Sequence, residues 1–197
     1  DFIKLTDDTL LVVVADVSGK GVPASLIMAE VRASTHILTS MHLPLDELAT
    51  QLNTLVRNST DNHVFVTYLA VDIDASSGML RYVNAGHPRA VVHSSGATVA
   101  LSTRTFALGA LEVLPQLSVN AVAFAPGSTL VAYTDGIFEY SGGGDEQYGE
   151  ERVRQSIVRH ASSAADRMAH DLLNDVKVFG AMKPFDDDAA LAIVKHT

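Results

Sequence analysis

Residues 10–30 read LLVVVADVSGKGVPASLIMAE, and the meaning of Asp16 within that stretch decides how the rest of the chain is understood. Leu10 to Ala15 are almost all branched and apolar, the composition of a buried strand. Asp16 follows, then a loop carrying Gly19 and Gly21, then Pro23 at the head of a segment with helical spacing. A carboxylate at the edge of a core is costly unless something opposite it offsets its lost hydration.

Working outward, DFIKL and LLVVVA flank the turn-like TDDT and predict a β-hairpin. A helix is predicted from about Val22 to Met41, with Ile27, Val31 and Leu38 on one face. A second runs from Leu45 to Asn58, with Asp46 and Glu47 in its favourable first turn. From His63 to Phe124 the chain turns into short β-rich pieces: VFVTYLAVDI, MLRYVNA, RAVVH, ATVAL and LSVNAVAF. STLVAYTDG predicts another strand ending in an aspartate. Helices are expected over about Glu150–Ala161 and Ala164–Phe179, and FDDDAALAIVKH carries acid into a last strand. Strands surrounding two helix pairs predict an α+β fold, with stacked sheets and helices outside.

Composition narrows the function. The chain has 197 residues, 47% of them hydrophobic, enough for one domain with a sizeable core. Lys+Arg 14 against Asp+Glu 23 leaves a net charge of −9, which argues against nucleic-acid backbones and anionic membrane surfaces as partners. With Cys 0 there is no disulfide, thiolate zinc site or cysteine nucleophile, which is compatible with a cytoplasmic location. No apolar run approaches the ~20 residues that span a bilayer. The chain opens at Asp1 as though within a strand, so it is expected to be part of something longer.

The informative pattern is acidic. Asp16 ends one apolar strand, Asp135 another, and Asp186, Asp187 and Asp188 precede a third. Any one of them is more often a turn former or helix cap, and DDD alone is more often a solvated loop. Gathered at one sheet edge, however, such carboxylates would repel one another unless cations neutralised them. Oxygen donors without cysteine favour Mg²⁺ or Mn²⁺ over Zn²⁺. Two such ions roughly 3.5–4 Å apart can activate a water for in-line attack on phosphorus. SGKG does not make a phosphate-binding P-loop: Val14 stands in place of the first glycine, and Gly21 in place of the required Ser or Thr.

Six ordered blocks then resemble one family: ADVSGKGVPASLIMAE, FVTYLAVDIDASSGMLRYVNAGHPRAVV, ALG, APGSTLVAYTDGIFEY, YGEERV and DDDAALAIV. They are similar to the bacterial PPM/PP2C-like serine/threonine phosphatases of the SpoIIE/RsbU type, over nearly the whole chain. The resemblance implies an α-β-β-α sandwich of two stacked, mainly antiparallel sheets flanked by helix pairs. It also implies hydrolysis of phosphoserine or phosphothreonine with two Mn²⁺ or Mg²⁺ ions. The implied metal ligands are the carboxylates of Asp16, Asp135 and Asp187 and the backbone carbonyl of Val17, with Asp186 a loop residue. Gly19, Lys20, Gly21, Asn84, Gly86, His87 and Gly136 fall in the implied loop and substrate positions. Gly19 and Gly21 are expected where a side chain would crowd the metals or the helix start. His87 is expected to brace the turn beneath the site, and Lys20, which can steer a phosphate, is otherwise a solvated loop residue.

Departures from the family pattern shape the remaining expectations. Asp1 matches the second aspartate of the family's GGDxxD, so the first aspartate, the strands before it and any regulatory domain are expected upstream of residues 1–197, read as one phosphatase domain. Ala190 replaces the usual Thr after the last carboxylate pair, and is expected to loosen hydrogen bonding there. Ser18 stands where eukaryotic PP2C-type enzymes carry a general-acid His. By the same resemblance the substrate is a phosphorylated STAS-domain anti-anti-sigma protein in a partner-switching pathway, with an upstream sensor or receiver domain and homodimerisation left open. The alternative is a catalytically inactive phosphatase-like module that binds a phosphoprotein or partner kinase.

Overall fold

Leu10 to Val14 do lie in a strand, and its pairing sets the first sheet. The computed structural model describes residues 1–60, 64–102, 105–115, 117–185 and 187–197. The chain sorts into two units, Asp1–His87 with Ser102–Ala123 and Pro88–Leu101 with Phe124–Thr197.

In the first unit, β1 (Phe2–Lys4) and β2 (Thr9–Val17) form the predicted hairpin. β2 pairs antiparallel with β3 (Val66–Asp74) along its full length, from Thr9↔Asp74 to Val17↔Val66. β3 pairs with β4 (Met79–Ala85), and β4 with a strand at Asn120–Ala123 that is β7 in chain order. That five-stranded sheet carries two helices. The first, α1 (Val22–Ser40), opens with Pro23 in its first turn, where the missing N–H costs nothing. The second, α2 (Leu45–Ser59), has Asp46 and Glu47 at its start and Arg57 at its end, each complementing the helix dipole. Val31, Leu48, Leu52 and Val56 pack with Leu11, Val13, Tyr68 and Val83 of the sheet in one apolar cluster. Tyr68 is buried, which pushes its phenol well above the ordinary range, and its hydroxyl meets Thr35 of α1 at 3.3 Å.

The second unit repeats the plan with four strands. β5 (Val91–Ser94) and β6 (Ala97–Ala100) form a hairpin; β5 also pairs with β8 (Thr129–Tyr133), and β8 with β9 (Leu191–Lys195), all antiparallel. A single-turn helix α3 (Asp135–Phe138) leaves β8, and α4 (Gly149–His160) and α5 (Ala165–Phe179) follow. Val131 and Tyr133 pack with Ile137, Val153, Ile157, Met168, Leu172 and Val176. Asp175 of α5 accepts hydrogen bonds from Ser156, at 2.7 Å, and Arg159, at 2.8 Å, and meets His160 at 3.1 Å, joining the two long helices.

The α+β expectation holds: two antiparallel sheets, each with its helix pair. Boundaries moved in several places. Asp135 does not end a strand: β8 stops at Tyr133, Thr134 is still extended, and Asp135 opens α3. The last acidic run does not lead straight into β9, since Ala189 and Ala190 intervene. LSVNAVAF contributes only Asn120–Ala123 to a strand, Leu117 being buried in the core outside it. Among the described residues no helix is long and apolar enough to cross a membrane.

Candidate metal centre

Two of the predicted carboxylates are brought to one corner by the β8–β9 ladder, whose last pair is Tyr133↔Leu191. Beyond it, Thr134 continues the pairing by donating its N–H to the Ala190 carbonyl at 3.1 Å. Its hydroxyl then serves two backbone groups: it donates to the Asp188 carbonyl at 2.8 Å and accepts from the Ala190 N–H at 2.8 Å. Both bonds cross 54 to 56 residues of sequence. Asp135 is the residue after Thr134, and Asp187 the one before Asp188. The Thr134 clamp therefore brings the backbones of Asp135 and Asp187 beside the same contact. Asp135 is half-buried and Asp187 exposed. The Asp187 carboxylate also accepts the Asp188 N–H at 2.8 Å, which steadies the loop.

Gly136 explains how close the two segments come. A Cβ built there would lie 2.6 Å from the Asp188 carbonyl oxygen, a separation no real side chain tolerates. Ala190 makes two backbone hydrogen bonds here, its N–H donating to the Thr134 hydroxyl and its carbonyl accepting the Thr134 N–H. Asp186 lies outside the described residues.

In the first unit Asp16 is the penultimate residue of β2, opposite Thr67, and Val17 is opposite Val66. Thr67 Oγ1 lies 3.4 Å from the Asp16 carbonyl and 2.9 Å from His87 Nδ1. The arrangement that serves both has His87 Nδ1–H donating to Thr67, and Thr67 donating to Asp16. Asn84 fixes the turn that carries His87: its Oδ1 accepts the His87 N–H at 2.8 Å, and its Nδ2 donates to the His87 carbonyl at 3.0 Å. These bonds suit the bracing role expected of His87 and give Asn84 a part in it. Gly86, between them, has φ +70°.

Ser18 extends the ladder past Val17. Its N–H donates to the Phe65 carbonyl and its hydroxyl accepts the Phe65 N–H, both at 2.9 Å. The chain then breaks away through Gly19 at φ +100° and Gly21 at φ +81°, with Lys20 exposed between them. A Cβ at either would meet no atom of the chain within 4 Å, so the helix start does not crowd them, and the positive φ is what favours glycine here.

The candidate donors, three carboxylates and one carbonyl, are all oxygens and fit Mg²⁺ or Mn²⁺. Among the described residues, no group of three or more His, Cys, Asp or Glu side chains is placed to hold a metal ion. Asp135 and Asp187 lie in the second unit, and Asp16 and Val17 in the first. Sequence reasoning missed Thr134 and Thr67, the two hydroxyls that position the acids. Thr134 left a faint signal, a threonine between an apolar strand and Asp-Gly, the kind of residue that turns a chain into a helix.

Comparison with known proteins gives this geometry a setting. Phosphoserine phosphatase RsbP of Bacillus subtilis is 27% identical over 134 residues, covering 65% of this chain and 33% of RsbP. The SiaA-PP2C domain of Pseudomonas aeruginosa superposes with a TM-score of 0.87 at 20% identity, over 99% of this chain and 78% of that one. RsbX, solved in complex with magnesium, matches with a TM-score of 0.71 at 18% identity, over 98% of this chain and 83% of RsbX. The chain spans about a third to just over half of the length of the curated relatives it matches. These likenesses establish a PP2C-like fold. The family model for Stage II sporulation protein E (SpoIIE) matches residues 6–197, almost the whole sequence, so the chain belongs to the SpoIIE family of PP2C-type phosphatase domains.

Proposed function

We propose that residues 1–197 act as one metal-dependent phosphatase domain that hydrolyses phosphoserine or phosphothreonine on a protein substrate. The observation that carries this reading is the Thr134 clamp, which sets Asp135 and Asp187 beside one contact in a chain of the SpoIIE family. Asp16, Asp135 and Asp187 would hold Mn²⁺ or Mg²⁺ through carboxylates, and Val17 through its carbonyl. Two such ions, when bound, supply charge neutralisation and a water nucleophile for attack on phosphorus.

The remaining roles fall to the protein. Gly19 and Gly21 let the loop after Asp16 turn without side chains, keeping its backbone open to a phosphate. Lys20, exposed between them, attracts that phosphate by charge. Thr67, His87 and Asn84 hold the backbone of Asp16 in place, so His87 is a positioning residue. The Ser18 hydroxyl accepts the Phe65 N–H and so helps hold the strand end beside Asp16. The substrate proposed is a phosphorylated STAS-type anti-anti-sigma protein in the cytoplasm, acted on within a partner-switching pathway. RsbP, named a phosphoserine phosphatase, supports the reaction class, and the family resemblance supports the substrate.

The test pairs an assay with a binding measurement on the natural full-length protein. Mn²⁺-dependent release of phosphate from a phosphorylated STAS protein is expected, with loss of turnover in Asp187→Asn. Calorimetric Mn²⁺ binding with no turnover by the unmutated protein would favour the non-hydrolysing module. Full turnover by Asp187→Asn would remove that residue from the ligand set.

A further inference from the structure

We propose that Tyr140 is a positioning residue for Asp187, gripping the α5–β9 connection at a second point, upstream of the Thr134 clamp. The inference deepens the phosphatase reading and rests on it, because it takes Asp187 as a metal ligand. Tyr140 follows closely on α3, the short helix that Asp135 opens. It is buried, only 2% exposed. Its own carbonyl accepts the Tyr148 N–H at 2.8 Å, which ties it to the start of α4. From there its hydroxyl donates to the Lys183 carbonyl at 2.7 Å. Phe185, two residues before Asp187 in the sequence, lies against the Tyr140 ring with centroids 4.8 Å apart.

Two glycines make room for this contact. A Cβ built on Gly180, at the end of α5, would lie 2.5 Å from the Tyr140 hydroxyl oxygen. Gly180 has φ −88°, open to any residue, so the tyrosine and not the dihedral angle demands glycine there. A Cβ on Gly142 would in turn lie 2.5 Å from the Gly180 carbonyl oxygen. The connection beyond Gly180 needs holding. Ala181, at φ 55°, and Met182, at φ 62°, take left-handed conformations that persist only where the surroundings impose them. Their N–H groups reach back to α5, Ala181 to the Val178 carbonyl at 3.1 Å and Met182 to that of Lys177 at 2.7 Å. After them the grip passes to Tyr140, through Lys183 and Phe185. Thr134 and Tyr140 flank α3 and hold the same connection on both sides of Asp187, at Asp188 and Ala190 after it and at Lys183 and Phe185 before it. A carboxylate held on both sides has less freedom to lose when it meets an ion, which favours binding.

The experiment compares Tyr140→Phe, which keeps the ring and removes the hydroxyl, with Tyr148→Phe in the natural full-length protein. Tyr148 is also a buried tyrosine of the second unit, but its hydroxyl meets the Arg152 carbonyl, within α4. Without metal, hydrogen exchange over residues 181–190, followed by mass spectrometry, should be about fivefold faster in Tyr140→Phe, the scale of one hydrogen bond. Calorimetric titration should show Mn²⁺ affinity about tenfold weaker in Tyr140→Phe, as for groups that orient a ligand, and changed by less than about twofold in Tyr148→Phe. Unchanged exchange would overturn the proposal. So would faster exchange with undiminished Mn²⁺ affinity, the mark of a purely structural tyrosine, or an equal loss of affinity in both variants. If the unmutated protein bound no Mn²⁺, the metal reading itself would fall and take the proposal with it, a result distinct from the other three.

Discussion

The corner around Asp135 and the corner around Asp16 present the same residue type, one just beyond an apolar strand and one within its last two residues, but they are built by different forces. At Asp135 the backbone is held by distant contacts: Thr134 bonds to Asp188 and Ala190, and Gly136 lies against Asp188. At Asp16 the strand ladder to Thr67 and the Ser18–Phe65 pair hold the backbone until Gly19, where the loop leaves through conformations favourable only to glycine. One corner is determined by packing across the chain and the other by local dihedral preference. A carboxylate can therefore be placed precisely by either route, and substitutions should separate the two.

The largest effect is expected from the acids themselves. Asp135→Asn should lower Mn²⁺-dependent phosphatase activity by more than the roughly 10–100-fold typical of residues that merely support a ligand. Its melting temperature should stay close to that of the unmutated protein, since the clamp on Thr134 is untouched. An activity assay paired with a thermal melt checks both halves.

Thr134→Val comes next and probes the clamp directly. It removes the hydroxyl that serves the Asp188 carbonyl and the Ala190 N–H, leaving two backbone groups unmet at about 1–3 kcal/mol each at most. The Mn²⁺ concentration for half-maximal activity should rise about 10–100-fold, the scale of outer-shell losses. Thr134→Ser should restore most of it, which a purely steric role would not predict.

Gly136→Ala should follow, at about 1–3 kcal/mol from overpacking. In a chain of this length that lowers the melting temperature by several degrees, at about 2–4 °C per kcal/mol. Gly19→Ala sharpens the contrast, because it meets nothing within 4 Å. Its cost is backbone strain alone, and Gly19→Asn, a residue more tolerant of positive φ, should recover part of it. Equal rescue of Gly136 by asparagine would mean that both corners are set by dihedral preference.

The smallest effect lies away from both corners, between α4 and α5. Burial pulls the Asp175 carboxyl upward, but the hydrogen bonds of Ser156 and His160 and the charge of Arg159 outweigh it and hold it below the usual carboxylate range. A depressed folded-state value means stability that is present above the unfolded value of about 3.9 and is lost as pH falls through the lower folded one. Asp175→Asn should therefore cost about 1–4 °C at neutral pH, and its melting curve should converge with the unmutated one below about pH 4. A gap that widened in acid would contradict this assignment.

Much of the fold could be read from the chain because its signals are local. Leu48, Leu52 and Val56 recur at helical spacing and are buried as expected, and Pro23 begins α1 where its missing N–H is harmless. The acids of the candidate site were also legible, as aspartates attached to apolar strands. The positive φ of Gly19 and Gly21 was not legible, because a motif shows that glycine is present and not which dihedral angles it adopts. The bond between the Ala190 N–H and the Thr134 hydroxyl was equally hidden, since the two residues are 56 apart.

The sequence by itself determined the elements, their order and the three acidic positions, because apolar periodicity, proline and acidic side chains act over a few residues. Only the tertiary structure decided that Thr134 grips Asp188 and Ala190 and that Gly136 must be bare. Those facts depend on strand register, which is fixed by the burial of whole faces and not by any short stretch of residues.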